Sequence, residues 1–167
     1  MASIALLRGI NISGQKKIAM NDLKKVFESL KLKNVQTYIQ SGNVLFEGTI
    51  DAKTIEKKIQ EVFGFQVTVF LRSKEELRKV IAKNPFAGKD PNYLYVTFLS
   101  DTPKETPEIT KDKAEEFIIS GKEVYLYCPK GYGRTKLNNN LFERKLKLQA
   151  TTRNWKTINK LVNFSLL

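Results

Sequence analysis

Two loops in the C-terminal third of the chain gather groups that recognise anions. Gly131-Tyr132-Gly133-Arg134-Thr135-Lys136 leads into a helix start. Its glycines let backbone approach a ligand, Arg134 offers a planar fork of donors, Lys136 a point charge, and the helix terminus adds partial positive charge. Thr151-Thr152-Arg153-Asn154 leads into a second helix start, so Thr152, Arg153 and Asn154 contribute a hydroxyl, a guanidinium and an amide. If the two loops converge they make one anion pocket. The plainer alternative is ordinary helix capping by Thr152 or Asn154.

Two further loops carry weaker signals. Gly9-Ile10-Asn11-Ile12-Ser13-Gly14-Gln15-Lys16-Lys17 follows a strand. It is not a P-loop: Gln15 stands where the lysine belongs and Lys16 where a Ser or Thr belongs. The helix that should follow at once to present its N–H groups starts only near Asn21. A looser site built from Arg8, Asn11, the loop amides and Lys16 remains, against a turn whose glycines supply positive φ. Gln40-Ser41-Gly42-Asn43 is a hairpin turn in which Ser41 and Asn43 are well suited to bonding backbone. Ser41 has no base to activate it.

The absences narrow the chemistry. The sequence contains no histidine and one cysteine, Cys128. Zinc and related metals need several Cys or His ligands, so no metal site is expected. The usual base of Ser and Cys nucleophiles is missing too. Nothing calls for a cofactor. A binding role is therefore favoured over an enzymatic one, and an intramolecular disulfide is excluded.

These loops must be held by a scaffold, and the hydrophobic spacing describes one. In the first half, Ile4–Leu7 is a strand. Leu23, Val26, Phe27 and Leu30 share one face of a helix that Asn21 can cap. Val35–Gln40 and Val44–Glu47 form a hairpin. Asp51 can cap a helix bearing Ile55, Ile59, Val62 and Phe63, which Gly64 stops, and Gln66–Leu71 is a fourth strand. Ser73 can cap a short helix with Leu77, Val80 and Ile81. The Pro- and Gly-rich stretch 84–91 then marks a boundary. The second half repeats the order: strand Tyr93–Leu99, a loop and short helix over Thr102–Asp112, a hairpin around Ser120-Gly121, a helix over about 137–147, an edge strand Gln149–Thr152 and a last helix from near Asn154. The fold class is α+β, with two ferredoxin-like βαββαβ plaits packed together and a C-terminal helix. The division is 1–72, a helix and linker over 73–91, and 92–167. Ile4-Ala5-Leu6-Leu7 is apolar on both faces, so the first sheet should be covered on both sides.

Alternation in the second sheet raises one more possibility. Leu94, Val96 and Phe98 face one way, with Val124, Leu126 and Cys128. Tyr93, Tyr95, Tyr125 and Tyr127 then share the opposite face, where RNA-binding plaits stack bases. The alternative is that these tyrosines are covered. Cys128 falls on the helix side as a buried, inert thiol.

The charge is concentrated. Of a net +12, residues 1–72 carry +5, residues 73–128 carry −1 and residues 129–167 carry +8. Such a segment attracts polyanions through a field that salt screens. No apolar run reaches the ~20 residues that span a bilayer, and the N-terminus lacks the features of a signal peptide. The expected location is the cytoplasm, without membrane association.

Several of these motifs also carry a resemblance. Ala5-Leu6-Leu7-Arg8-Gly9-Ile10-Asn11, Thr37 to Val44, Asn84-Pro85-Phe86, Tyr132 to Leu137 and Thr151 to Thr157 resemble the bacterial domain of unknown function 1697 family over essentially the whole chain. Lys156 stands where that family commonly has Asn. The resemblance implies two α-β plait subdomains and no activity. Charge and loops together favour a non-catalytic binding module for an anionic partner, either nucleic acid or a phosphorylated small molecule such as a nucleotide. The alternatives are a small-molecule enzyme with a site between the halves and a protein-interaction adaptor.

Overall fold

The computed structural model describes residues 2–164. The chain divides into two compact units, Met1–Leu77 with Leu161–Leu167, and Arg78–Lys160.

The first unit holds β1 (Ala2–Leu7), α1 (Met20–Ser29), β2 (Lys33–Tyr38), β3 (Asn43–Glu47), α2 (Ala52–Phe63) and β4 (Val69–Ser73). They form an antiparallel sheet in the order β2-β3-β1-β4. Ala5 and Leu7 of β1, Val44 and Phe46 of β3 and Val69 of β4 meet Leu23, Val26 and Phe27 of α1 and Ile55 and Ile59 of α2 in one apolar cluster. The other face is buried as well, through Ile4, Leu6, Leu45 and Phe70. That is why β1 reads as a continuous apolar run rather than an alternation.

The helix ends follow from single side chains. Asp51 caps α2 by accepting from the Thr54 N–H at 2.7 Å, and Gly64, at φ 82°, closes it with an N–H bond to the Gln60 carbonyl. α1 begins one residue before Asn21, at Met20, with Ala19 in the cap position and no side-chain cap. Asn21 therefore lies inside the helix, and the capping role expected of it is not realised. Helix α3 (Lys74–Ala82) opens on a reciprocal box: Ser73 Oγ accepts from the Glu76 N–H at 3.0 Å, and Glu76 Oε1 accepts from the Ser73 N–H at 2.9 Å.

The second unit holds β5 (Leu94–Leu99), β6 (Glu116–Ser120), β7 (Glu123–Tyr127), α4 (Asn139–Leu146) and β8 (Ala150–Asn154), with α5 (Trp155–Asn163) after it. Its sheet has the order β6-β7-β5-β8, again antiparallel throughout, with β8 at the edge. Leu99, Val124, Leu126, Cys128 and Ala150 pack with Leu137, Phe142 and Leu146. The unit divisions fall within α3 and α5.

One element expected from sequence is missing. The connection from β5 to β6, residues 100–115, contains no helix. Pro103 and Pro107 lie one helical turn apart there. Each removes a backbone donor and blocks the preceding turn, so the segment stays irregular where the first unit has α1.

Candidate functional site

In the first unit, the candidate polar side chains serve the loops that carry them. The Asn11 carboxamide accepts from the Ile18 N–H at 2.9 Å and donates to the carbonyls of Ile18 at 3.0 Å and Gln40 at 2.8 Å. It ties both ends of loop 11–18 to the β2–β3 turn. Lys16 Nζ donates to the Gln66 carbonyl at 2.8 Å. Asn43 is fully buried and donates to the Tyr38 carbonyl and to Ser41 Oγ. Gly42, at φ 87°, closes the turn against Leu7 and Ile10. A Cβ there would lie 2.7 Å from Ile10 Cδ1, so only glycine fits. Arg8 is half-buried beside this loop and its N–H bonds the Thr68 carbonyl at 3.0 Å. Asn11, Gly14, Lys17 and Gln40 border an opening of about 340 Å³.

The four tyrosines do not form a stacking face. In an antiparallel pair, residues directly opposite share a face. Tyr95 stands opposite Leu126 and Val96 opposite Tyr125. Tyr95 therefore lies with the helix-side core, its ring 5.3 Å from that of Tyr132. Tyr125 lies on the other face, buried, with its hydroxyl donating to the Val80 carbonyl at 2.8 Å. Burial first, and Glu123 second, push its phenol up to about 12. Tyr127 already has Lys89 Nζ over its ring at 4.7 Å, and Tyr93 belongs to a short 3-10 turn before β5.

The loops 131–136 and 151–154 do meet, but not as a pocket. Thr152 Oγ1 donates its single proton to Asn139 Oδ1 at 2.6 Å. The Tyr132 hydroxyl at 3.1 Å and the Thr97 hydroxyl at 2.7 Å must then both donate to it. A hydroxyl has one donor and two acceptor positions, so Thr152 is saturated and joins β5, β8, α4 and the 131–136 loop. Asn154 caps α5, accepting from the Thr157 N–H at 2.8 Å. Arg153, 6% exposed, turns to the opposite face of β8, where its Nη1 donates to Thr151 Oγ1 at 2.8 Å and to the Thr152 carbonyl at 3.0 Å. Burial lowers its pKa to about 10.

Arg134 and Lys136 instead face residues the sequence reading passed over. With Lys111, Asp112, Glu115 and Lys130 they line a cavity of about 160 Å³ within the second unit. The irregular 100–115 segment supplies one wall and the 130–136 loop the other. Four cationic side chains against two anionic ones leave a formal balance of +2. Asp112 is paired with Lys130 at 3.3 Å. The Ala114 N–H, and then Lys130, hold its carboxyl below the usual range.

The remaining acid, Glu115, is only 4% exposed, whereas the four cations are exposed. Cys128 is fully buried, with Thr135 and Glu115 as its electrostatic neighbours. Burial pushes its thiol up to about 11, and Glu115 acts in the same direction. A thiol held protonated is neither a nucleophile nor a metal ligand at neutral pH. Among the described residues no group of three or more His, Cys, Asp or Glu is placed to hold a metal ion. No helix among them is long and apolar enough to cross a membrane.

Lys136 also borders an open groove of about 500 Å³ that runs along α4 past Asn138, Leu141 and Arg144. Lys130 was legible as part of the same basic loop as Arg134. Lys111 and Glu115 carried no local signal.

The fold recurs elsewhere. A conserved bacterial protein, SP0830 from Streptococcus pneumoniae, superposes with a TM-score of 0.70 at 22% identity over 96% of each chain. Identity this low shows the fold alone. No curated protein matches the chain. The model of the family described as Protein of unknown function (DUF1697) matches residues 1–125. That is well over half of the sequence, and the chain belongs to this family.

Proposed function

We propose that this protein is a non-catalytic binding module whose second unit holds one anionic group of a phosphorylated partner, a nucleotide or a nucleic acid. The observation that carries the reading is the position of Lys136, which borders both the small charged cavity and the open groove along α4. The cavity's volume is about 160 Å³. Pockets for whole small molecules start at about 300 Å³, so the cavity suits a single oxyanion and the groove the rest of its carrier. The +8 charge of residues 129–167 would draw such a partner in.

Catalysis finds less support. The buried acid of the cavity lining is Glu115, the lining holds no Ser, Cys or His, and the nearby Cys128 thiol stays protonated. The strand order β2-β3-β1-β4 with α1 and α2 supports reading the first unit as a ferredoxin-like plait. The second unit would be the same plait without its first helix. A cytoplasmic setting agrees with a single, buried, reduced cysteine.

Two charge-assisted contacts at about 1.5–3 kcal/mol each correspond to a Kd on the order of millimolar to tens of micromolar. Isothermal titration with a nucleotide at low salt should give saturable binding in that range. It should weaken roughly tenfold or more in the double variant Arg134→Met/Lys136→Met. Wild-type binding that the double variant leaves unchanged would remove the site from this cavity.

A further inference from the structure

Resting on the anion-site reading above, we propose that Glu115 makes the cavity selective for anions that carry a proton, so that it takes a phosphomonoester end and rejects phosphodiesters and sulfate. The cations around the cavity would hold any oxyanion. Glu115 is different: it is a carboxylate, it is nine-tenths buried, and it lines the same space. A fully deprotonated oxyanion beside it meets like charge in a place with little water to screen it. An oxyanion with one remaining O–H can donate to it instead and turns that repulsion into a charge-assisted hydrogen bond.

Glu115 has acceptor capacity for this. A carboxylate offers about four lone-pair positions, more than the single proton of the neighbouring Cys128 thiol could fill. Its backbone is fixed by the turn in which the Glu115 N–H bonds the Asp112 carbonyl at 3.0 Å.

Chemistry then sorts the candidates. A phosphomonoester has its second pKa at about 6, so near neutrality it keeps or regains its proton at a cost of about 1.4 kcal/mol per pH unit. A phosphodiester has no second proton, and sulfate holds none near neutral pH. The ligand class is the terminal phosphate of a nucleotide or of a small phosphorylated metabolite, and an internal backbone phosphate is excluded.

The ligand's proton is also the one that titrates. The charged groups around the space are Lys111, Asp112, Lys130, Arg134 and Lys136 with Glu115 itself. Asp112 is held ionised, and Cys128 keeps its proton up to about pH 11. Affinity for a monoester should therefore fall as pH rises above about 6, the monoester's own pKa.

The test compares methyl phosphate, dimethyl phosphate and sulfate on the full-length protein by isothermal titration at about pH 6 and about pH 8. Methyl phosphate should bind about ten- to a hundredfold more tightly than the other two at the lower pH, and its advantage should shrink at the higher. Glu115→Gln, which keeps the shape, removes the charge and can donate from its amide, should gain affinity for sulfate and lose the preference. The wild-type comparison stands even if that variant does not fold. Equal binding of all three would overturn the selectivity and leave the anion site intact. Binding of none would overturn both.

Discussion

Arg72 and Arg153 occupy the same position in their two sheets. Arg72 on β4 stands opposite Ile4, the third residue of β1, and Arg153 on β8 stands opposite Val96, the third residue of β5. Each is buried, at 5% and 6% exposed, and each donates from Nη1 to the carbonyl of the residue before it at 3.0 Å. Sequence comparison of the halves shows no such kinship, yet register, burial and backbone contact coincide. Both fourth strands therefore place a guanidinium on the sheet face away from the apolar clusters that α1, α2 and α4 cover.

Lysine should not replace either arginine. It lacks the planar fork and is more strongly hydrated, so the acceptors around it would be left partly unmet. Arg72→Lys and Arg153→Lys should each destabilise the protein by about 1–3 kcal/mol, read as a lower urea midpoint at unchanged slope. A midpoint within error of wild type would show that charge alone suffices there.

Thr152 is the hub of the second unit. Replacing it with valine keeps the shape but strands Asn139 Oδ1 and the hydroxyls of Tyr132 and Thr97. Thr152→Val should cost about 1–3 kcal/mol. Adding Thr97→Val should cost less than the sum of the two single changes, because the second partner is then already orphaned. Strict additivity in a double-mutant cycle would contradict the network.

Stability should fall on the alkaline side, beginning near pH 9. The folded pKa of Cys128 is raised from 9.0 to about 11, and that of Tyr125 from 10.0 to about 12. A raised folded pKa gives stability that is complete below the unfolded value and lost as pH climbs through the folded one. Arg153 acts oppositely: its pKa is lowered from 12.5 to about 10, so its contribution grows with pH over that interval. The clean window is thus pH 9.0 to 10.0, where Cys128 acts first. The urea midpoint of wild type should drop across it, and that of Cys128→Ala should drop less. Parallel slopes would assign the loss to another group.

The scaffold was largely legible and the cavity was not. Asp51, Gly64, Ser73 and Asn154 announced helix ends because capping is local chemistry, readable within four residues. The apolar run of β1 announced a strand buried on both faces. The tyrosines misled because alternation fixes which residues of one strand share a face. It leaves open how that strand pairs with the next, and a one-residue shift reverses every side chain. The pairing of Val96 with Tyr125 gave Tyr125 the Val80 carbonyl, a partner forty-five residues away. Glu115 escaped notice for a similar reason. It sits at the end of an aperiodic segment, and only folding brings it to Cys128 and to the loop that carries Arg134 and Lys136.

The most direct measurement is a phosphate titration followed through backbone amide chemical shifts at low salt. Saturable shifts should centre on residues 110–115 and 130–136, with loop 9–17 unmoved. Shifts that fail to saturate, or that centre on the Gly9–Lys17 loop instead, would contradict an anion site in the second unit.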